Sequence, residues 1–271
     1  MRTGTASKPN KIESSDSYRI VILGAGNVAT HISRHFHARG QHILCVYSRT
    51  ETSAQILAGE LGTLGTSDPG KVPQKADFFI LCVPDRVVGE VAGQCRDRQG
   101  IWLHTAGALD MDVFQGIALD HGVLYPLQSL SRERKIRMGH IPFLLEASSP
   151  LVMEKIRDLC SNITERVEEA DSHTRLRVHL AAVFANNFSN HMVHVAQQLL
   201  EESKLDAKLL EPILEETFHK LTELSAAEAQ TGPAVRGDVE SMNKHIELLK
   251  GHPELEKLYT FISREIQRAR E

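Results

Sequence analysis

Apolar positions change period twice along this chain. Ile20 to Leu23 form an unbroken apolar run that stops at Gly24-Ala25-Gly26. The period then turns helical, with Val28, Ile32 and Phe36 on one face and Gly40 as a stop. His42 to Tyr47 reads as a second strand, and 52–61 as a second helix leading into a loop that bears Gly and Pro. Ala76 to Val83 is apolar almost throughout, as a strand covered on both faces should be. It ends at Pro84-Asp85, where Asp85 is placed to cap a helix running to about Cys95. Gly100 to Gly107, Gly122 to Ser129 and Ile141 to Leu145 read as further strands, the first two ending in small and polar residues. Strands alternating with helices predict a doubly wound, mostly parallel sheet with ligands at the carboxyl ends of its strands.

From Ser149 the pattern is helical. Ser149 caps a helix that begins with Pro150 and runs to about Cys160. Helices are expected over 171–203, 206–227 and 238–250, with a fourth from Pro253 to about Arg268. The expected division is therefore a tail over 1–17, an α/β domain over 18–148 and an all-helical domain over 149–271.

Composition narrows the function. With 271 residues, 41% of them hydrophobic, two modest cores are affordable. A formal charge of −4 gives no reason to expect a nucleic-acid partner. Cys45, Cys82, Cys95 and Cys160 form no C-x-x-C pair and read as reduced packing thiols in a reducing compartment. Phe78 to Val83, the longest apolar run, is too short to span a membrane, and the polar tail lacks the apolar centre of a signal peptide. A soluble, cytoplasmic protein is expected.

The glycine turn brings in the chemistry. Gly24-x-Gly26-x-x-Ala29 between a strand and a helix is the context that binds dinucleotides. Gly24 permits the turn, Gly26 admits the pyrophosphate, and Ala29 lets helix and strand pack closely. Ala25, Asn27 and Val28 complete the phosphate loop at the helix N-terminus, whose free N–H groups and dipole favour anions. Strand two ends in Ser48-Arg49-Thr50, where an NAD-selective site would carry an acid. A hydroxyl followed by a guanidinium suits a 2′-phosphate, so NADP is the expected cofactor. The alternative is that Arg49 is a solvated charge and Glu51 accepts from the ribose. Val83, Pro84, His104 to Gly107 (Thr105 among them) and Tyr125 to Ser129 should face the cofactor too, unless they are mere strand-to-helix turns.

On the long helix, Leu180, Phe184, Phe188, Met192, Val195 and Leu199 gather on one side at about 100° per residue. His179, Asn186 and Asn190 fall within about 40° of one another on a different side, flanked by Asn187 and His194. Such a stripe of amides and imidazoles meets either a cleft or another helix. Farther on, Thr231-Gly-Pro-Ala-Val-Arg236-Gly-Asp238 is a loop. Asp238 is expected to cap the next helix, and Arg236 is a candidate clamp for a substrate carboxylate. No metal site is expected.

Gly24–Ala29, Cys82-Val-Pro-Asp85, His104-Thr-Ala-Gly107, Tyr125-Pro-Leu-Gln128, His179–Asn187 and Thr231–Asp238 together resemble a bacterial family. Its members pair a Rossmann-like domain with a helical domain of unknown function and are labelled NADP oxidoreductases of the F420-dependent type. More distantly the chain is similar to pyrroline-5-carboxylate reductase, ketopantoate reductase and the 3-hydroxyacid dehydrogenases. That resemblance implies a long helix laid across the nicotinamide and homodimers formed through the helical domains. Two of those groups carry a Lys four residues before a catalytic Asn. Here that position is Ala182 or Val183, neither of which donates a proton. His179 and His104 are then the candidate acids, with Asn187 or Asn186 polarising a carbonyl or imine and Asn190 beside the substrate. The expected activity is NADPH-dependent reduction of a small, carboxylate-bearing oxo or imino compound such as a ketopantoate-like 2-oxo acid. A non-catalytic NADP(H) sensor or assembly protein, or hydride exchange between NADP and a deazaflavin, are the rival readings.

Overall fold

The computed structural model describes residues 17–269; most of the expected tail lies outside them. Eight strands form one sheet: β1 (Arg19–Leu23), β2 (His42–Tyr47), β3 (Leu64–Thr66), β4 (Lys75–Leu81), β5 (Gln99–His104), β6 (His121–Pro126), β7 (Phe143–Ala147) and β8 (Val167–Glu169). Their order is β3-β2-β1-β4-β5-β6-β7-β8. Every pairing is parallel except that of β6 with β7.

Alternation of side chains makes two cores from this one sheet. Ile20 and Ile22 of β1 face one apolar cluster, while Val21 and Leu23 face the other. The first cluster is closed by α1 (Asn27–Ala38), α2 (Glu51–Leu61) and α4 (Pro150–Ser161), the second by α3 (Val88–Gln94). Trp102 stacks on Phe79 in the second cluster at 4.8 Å between ring centres. All four cysteines are free and buried, and burial pushes the thiols of Cys45, Cys82 and Cys160 up to about 12.

Ser149 caps α4 as expected, its hydroxyl accepting from the Val152 N–H at 3.3 Å. Asp85 does not cap α3: a short 3₁₀ turn, Asp85–Val87, intervenes, and Val87 is the residue before the helix. The sheet also reaches past residue 148, because α4 packs on β7 and β8 adds an edge strand.

The helical remainder comprises α5 (Ser172–Ala182), α6 (Ser189–Glu202), α7 (Glu211–Glu223), α8 (Ala226–Ala229), α9 (Pro233–Arg236), α10 (Val239–Leu248) and α11 (Pro253–Arg268). A π-helical turn, Val183–Phe188, joins α5 to α6. Ser225 starts α8 with a reciprocal capping box with Glu228, which ends the expected 206–227 helix early. Contacts divide the chain into two compact units, one ending at Ser189 and one beginning at Asn190. Among the described residues no helix is long and apolar enough to cross a membrane.

Candidate functional site

The turn between β1 and α1 can be built only from glycine at its first position. Gly24 has φ of +126° and its N–H donates to the Tyr47 carbonyl at 2.7 Å. A Cβ there would stand 2.3 Å from the Cys82 carbonyl oxygen. At Gly26 a Cβ would meet nothing within 4 Å, so this face of the turn is open. Gly26 is the N-cap of α1 and no side chain caps that end, which leaves first-turn N–H groups for an anion.

These groups open onto a cavity of about 380 Å³ at the carboxyl ends of β1, β2 and β4. Gly24, Ala25, Gly26, Ser48, Arg49, Val83 and Pro84 line it. Arg86 and Arg132 line it as well, and neither was foreseen. Glu51 turns away: its Oε2 accepts from the Ser67 N–H at 2.6 Å, and these bonds hold its carboxyl below the usual range. A backbone turn open to phosphate, a hydroxyl and three guanidiniums fit a 2′-phosphorylated dinucleotide.

Val28, Thr105 and Asn27 lie outside this lining, as do the rest of the His104–Gly107 turn and the Tyr125–Ser129 stretch. Val28 packs against the apolar cluster under α1. Thr105 is buried and spends its hydroxyl on the Leu81 carbonyl at 3.2 Å. Asn27 is exposed at the first position of α1.

A second cavity, of about 540 Å³, lies beyond the end of β6. Tyr125, Gln128 and Ser129 form one wall, and His179, Asn186 and Asn187 the other. Tyr125 Oη and His179 Nδ1 are 3.0 Å apart, with ring centres 5.9 Å apart. Burial pushes the Tyr125 phenol above its ordinary pKa, so it is a neutral hydroxyl near neutral pH. Gly107 makes room for this pair: a Cβ there would lie 2.5 Å from His179 Nδ1 and 2.9 Å from Tyr125 Cζ.

Arg175 places His179 on the turn above it. The Arg175 guanidinium is almost wholly buried, paired with Glu146 and donating to the Leu109 carbonyl. Glu146 also accepts from the Ser172 N–H and hydroxyl at 2.9 Å each. Residues four apart share a helix face, so this anchor aims His179 over the sheet. The π turn brings Asn186 and Asn187 to the same cavity as His179, whereas uniform helical geometry puts Asn190 on that stripe.

His104 is a correction. Its ring is fully buried beside Phe114, and Nδ1 accepts from the Ala106 N–H at 3.2 Å. Burial, with the Arg175 charge adding, pushes its pKa down to about 3. A fully buried ring that stays neutral is not placed to protonate a product. Asn190 and Arg236 belong to the second unit, where both are exposed. Arg236 forms no ion pair among the described residues, and Asp238 caps α10 by accepting from the Ser241 N–H at 3.0 Å.

Sequence reasoning did not foresee that Tyr125 meets His179, that Arg132 meets the Ala25 carbonyl or that Arg175 pairs with Glu146. Only Tyr125 carried a local signal, its place at a strand end; the others matter through contacts made far along the chain.

Comparison with known proteins gives the family. Residues 19–102 match the family described as NADP oxidoreductase, coenzyme F420-dependent, and residues 141–266 match a domain of unknown function (DUF2520). A crystal structure from Bacteroides fragilis, described as a candidate NADP oxidoreductase, is 36% identical. The match covers 93% of this chain and 98% of that one, with a TM-score of 0.88. The chain belongs to this NADP oxidoreductase family. It is therefore an oxidoreductase whose cofactor is NADP, on a Rossmann sheet followed by a helical region. At the level of fold it is also similar to a reductive aminase from Aspergillus terreus solved with NADPH and ethyl-5-oxohexanoate. That match is 14% identical, covers 92% of this chain and 95% of that one, and has a TM-score of 0.69. A pyrroline-5-carboxylate reductase from Coxiella burnetii is 15% identical over 94% and 97% of the two chains, with a TM-score of 0.58. No curated protein matches the chain.

Proposed function

We propose that this oxidoreductase uses NADPH to reduce a small oxo or imino compound that carries a carboxylate, with a ketopantoate-like 2-oxo acid as one form. The observation that carries the reading is the Tyr125–His179 pair, opening with Asn186 and Asn187 onto one cavity at the carboxyl end of the sheet. NADPH, when bound, would supply the hydride. A carbonyl that accepts it becomes an alkoxide and needs a proton from a positioned acid. His179 provides that proton, and Tyr125 holds the imidazole through Nδ1 so that Nε2 faces the cavity. Asn186 and Asn187 donate amide hydrogens to the reacting oxygen or nitrogen. His179 stands as the proton donor in place of the absent Lys. Asn190 and Arg236 are the proposed substrate-binding residues, Arg236 for the anionic end of the substrate.

The proposed division of labour follows the same line. The sheet domain binds the cofactor, and the helical domain serves substrate binding and homodimer formation in the cytoplasm. Large apolar side chains left exposed there, such as Ile213, Phe218 and Phe261, support a second copy as partner.

The test is a panel of 2-oxo acids, ketopantoate and cyclic imines with NADPH, followed by loss of cofactor absorbance. With the substrate so found, His179→Ala should depress kcat, and Arg236→Ala should raise KM by removing a pair worth about 1.5–3 kcal/mol. Full turnover by His179→Ala would refute the proton-donor role.

A further inference from the structure

We propose that Arg132 clamps the pyrophosphate of the cofactor, carried over the glycine turn on the segment that follows β6. The inference rests on the NADP assignment of the cavity beside that turn. Arg132 Nη2 donates to the Ala25 carbonyl at 2.5 Å, and Ala25 lies between the two glycines of the turn. A bare carbonyl oxygen at this place would repel a phosphate. A guanidinium laid on it reverses the local sign of charge. The carbonyl takes one of the five N–H donors of the guanidinium, and the side chain lines the cavity with those that remain.

The segment is tied down. His31, buried in α1, has Nε2 2.8 Å from the Ser131 carbonyl oxygen, which fixes the backbone next to Arg132. Leu130 and Ile136 pack against the apolar cluster on either side. Among the described residues no carboxylate forms an ion pair with Arg132, and the adjacent Glu133 accepts from the Ser131 hydroxyl instead. Arg49 follows the end of β2, so the two arginines belong to different phosphates: Arg132 to the pyrophosphate common to NADPH and NADH, Arg49 to the 2′-phosphate that only NADPH carries.

The experiment is calorimetric titration of the full chain with NADPH and, separately, with NADH. Arg132→Ala should weaken both by about the same factor, roughly tenfold to a hundredfold, so that the preference between them stays within about twofold. Arg49→Ala should instead weaken NADPH alone and collapse the preference. Arg132→Lys should fall between, because an ammonium keeps the charge without the fork. Unchanged affinities in Arg132→Ala overturn the proposal, and so does a loss confined to NADPH, which would make Arg132 a reader of the 2′-phosphate. Should Arg132→Ala fail to give a cooperative thermal transition, Arg132→Lys decides, and wild-type affinity for both cofactors then overturns the clamp. Wild-type protein that binds neither cofactor refutes the NADP assignment itself and the clamp with it, a result separate from any variant-specific one.

Discussion

At the scale of single residues, the site depends on side chains buried for reasons that have little to do with substrate. Arg175 and Glu146 form a buried ion pair with further bonds to Ser172 and the Leu109 carbonyl, while Arg175 Nε is buried without a partner. Removing one partner strands the other's charge inside the protein. Glu146→Ala should therefore cost about 3–5 kcal/mol, read as a lowered midpoint in urea. A loss under about 1 kcal/mol would show that the guanidinium finds water or another acceptor. His104 gives a pH signature. Its folded pKa, about 3, lies below the unfolded value near 6.5, so the unfolded chain binds the extra proton between them. Its contribution is complete above about pH 6.5 and falls as pH drops toward 3, by about 1.4 kcal/mol per unit. In His104→Phe, thermal melts from pH 6.5 down to 4 should show a shallower decline in stability than wild type.

Among the elements, the π turn decides which amides meet His179. Uniform helical spacing puts Asn186 and Asn190 beside His179, and that prediction cannot see one wide turn between them. The turn at Val183–Phe188 shifts the register, and Asn186 and Asn187 share the cavity with His179. Deleting Ala185 should restore α-helical register, which carries Asn186 away from His179 and leaves Asn187 as the one amide on that side. We expect turnover to fall at least about tenfold while NADPH affinity stays within about twofold, since the cofactor cavity involves no residue of this turn. Titration and a turnover assay on the deletion variant check both halves. Helix boundaries, by contrast, were legible where their signals are local. Ser149-Pro150 and Asp238 each announce a helix start within four residues, and both side chains make the expected bond.

For the molecule as a whole, the helical second unit leaves Phe218 and Phe261 half or more exposed. If these faces meet a second copy, Phe218→Glu should shift the mass measured by light scattering toward the monomer, with NADPH affinity kept. An unchanged mass would take that face out of the interface. What the sequence determined alone was whatever a few neighbouring residues can specify. The strand–glycine–helix order, the Ser48-Arg49 pair and the helical grammar of the stretches after β8 all act over one or two turns of chain. Only the tertiary structure decided that His104 is buried, that Tyr125 meets His179 and that Arg132 lies on Ala25. Those contacts join residues far apart in the chain, through a sheet order in which chain neighbours are not always spatial neighbours. Local spacing carries no record of such meetings, because packing of the whole sheet creates them.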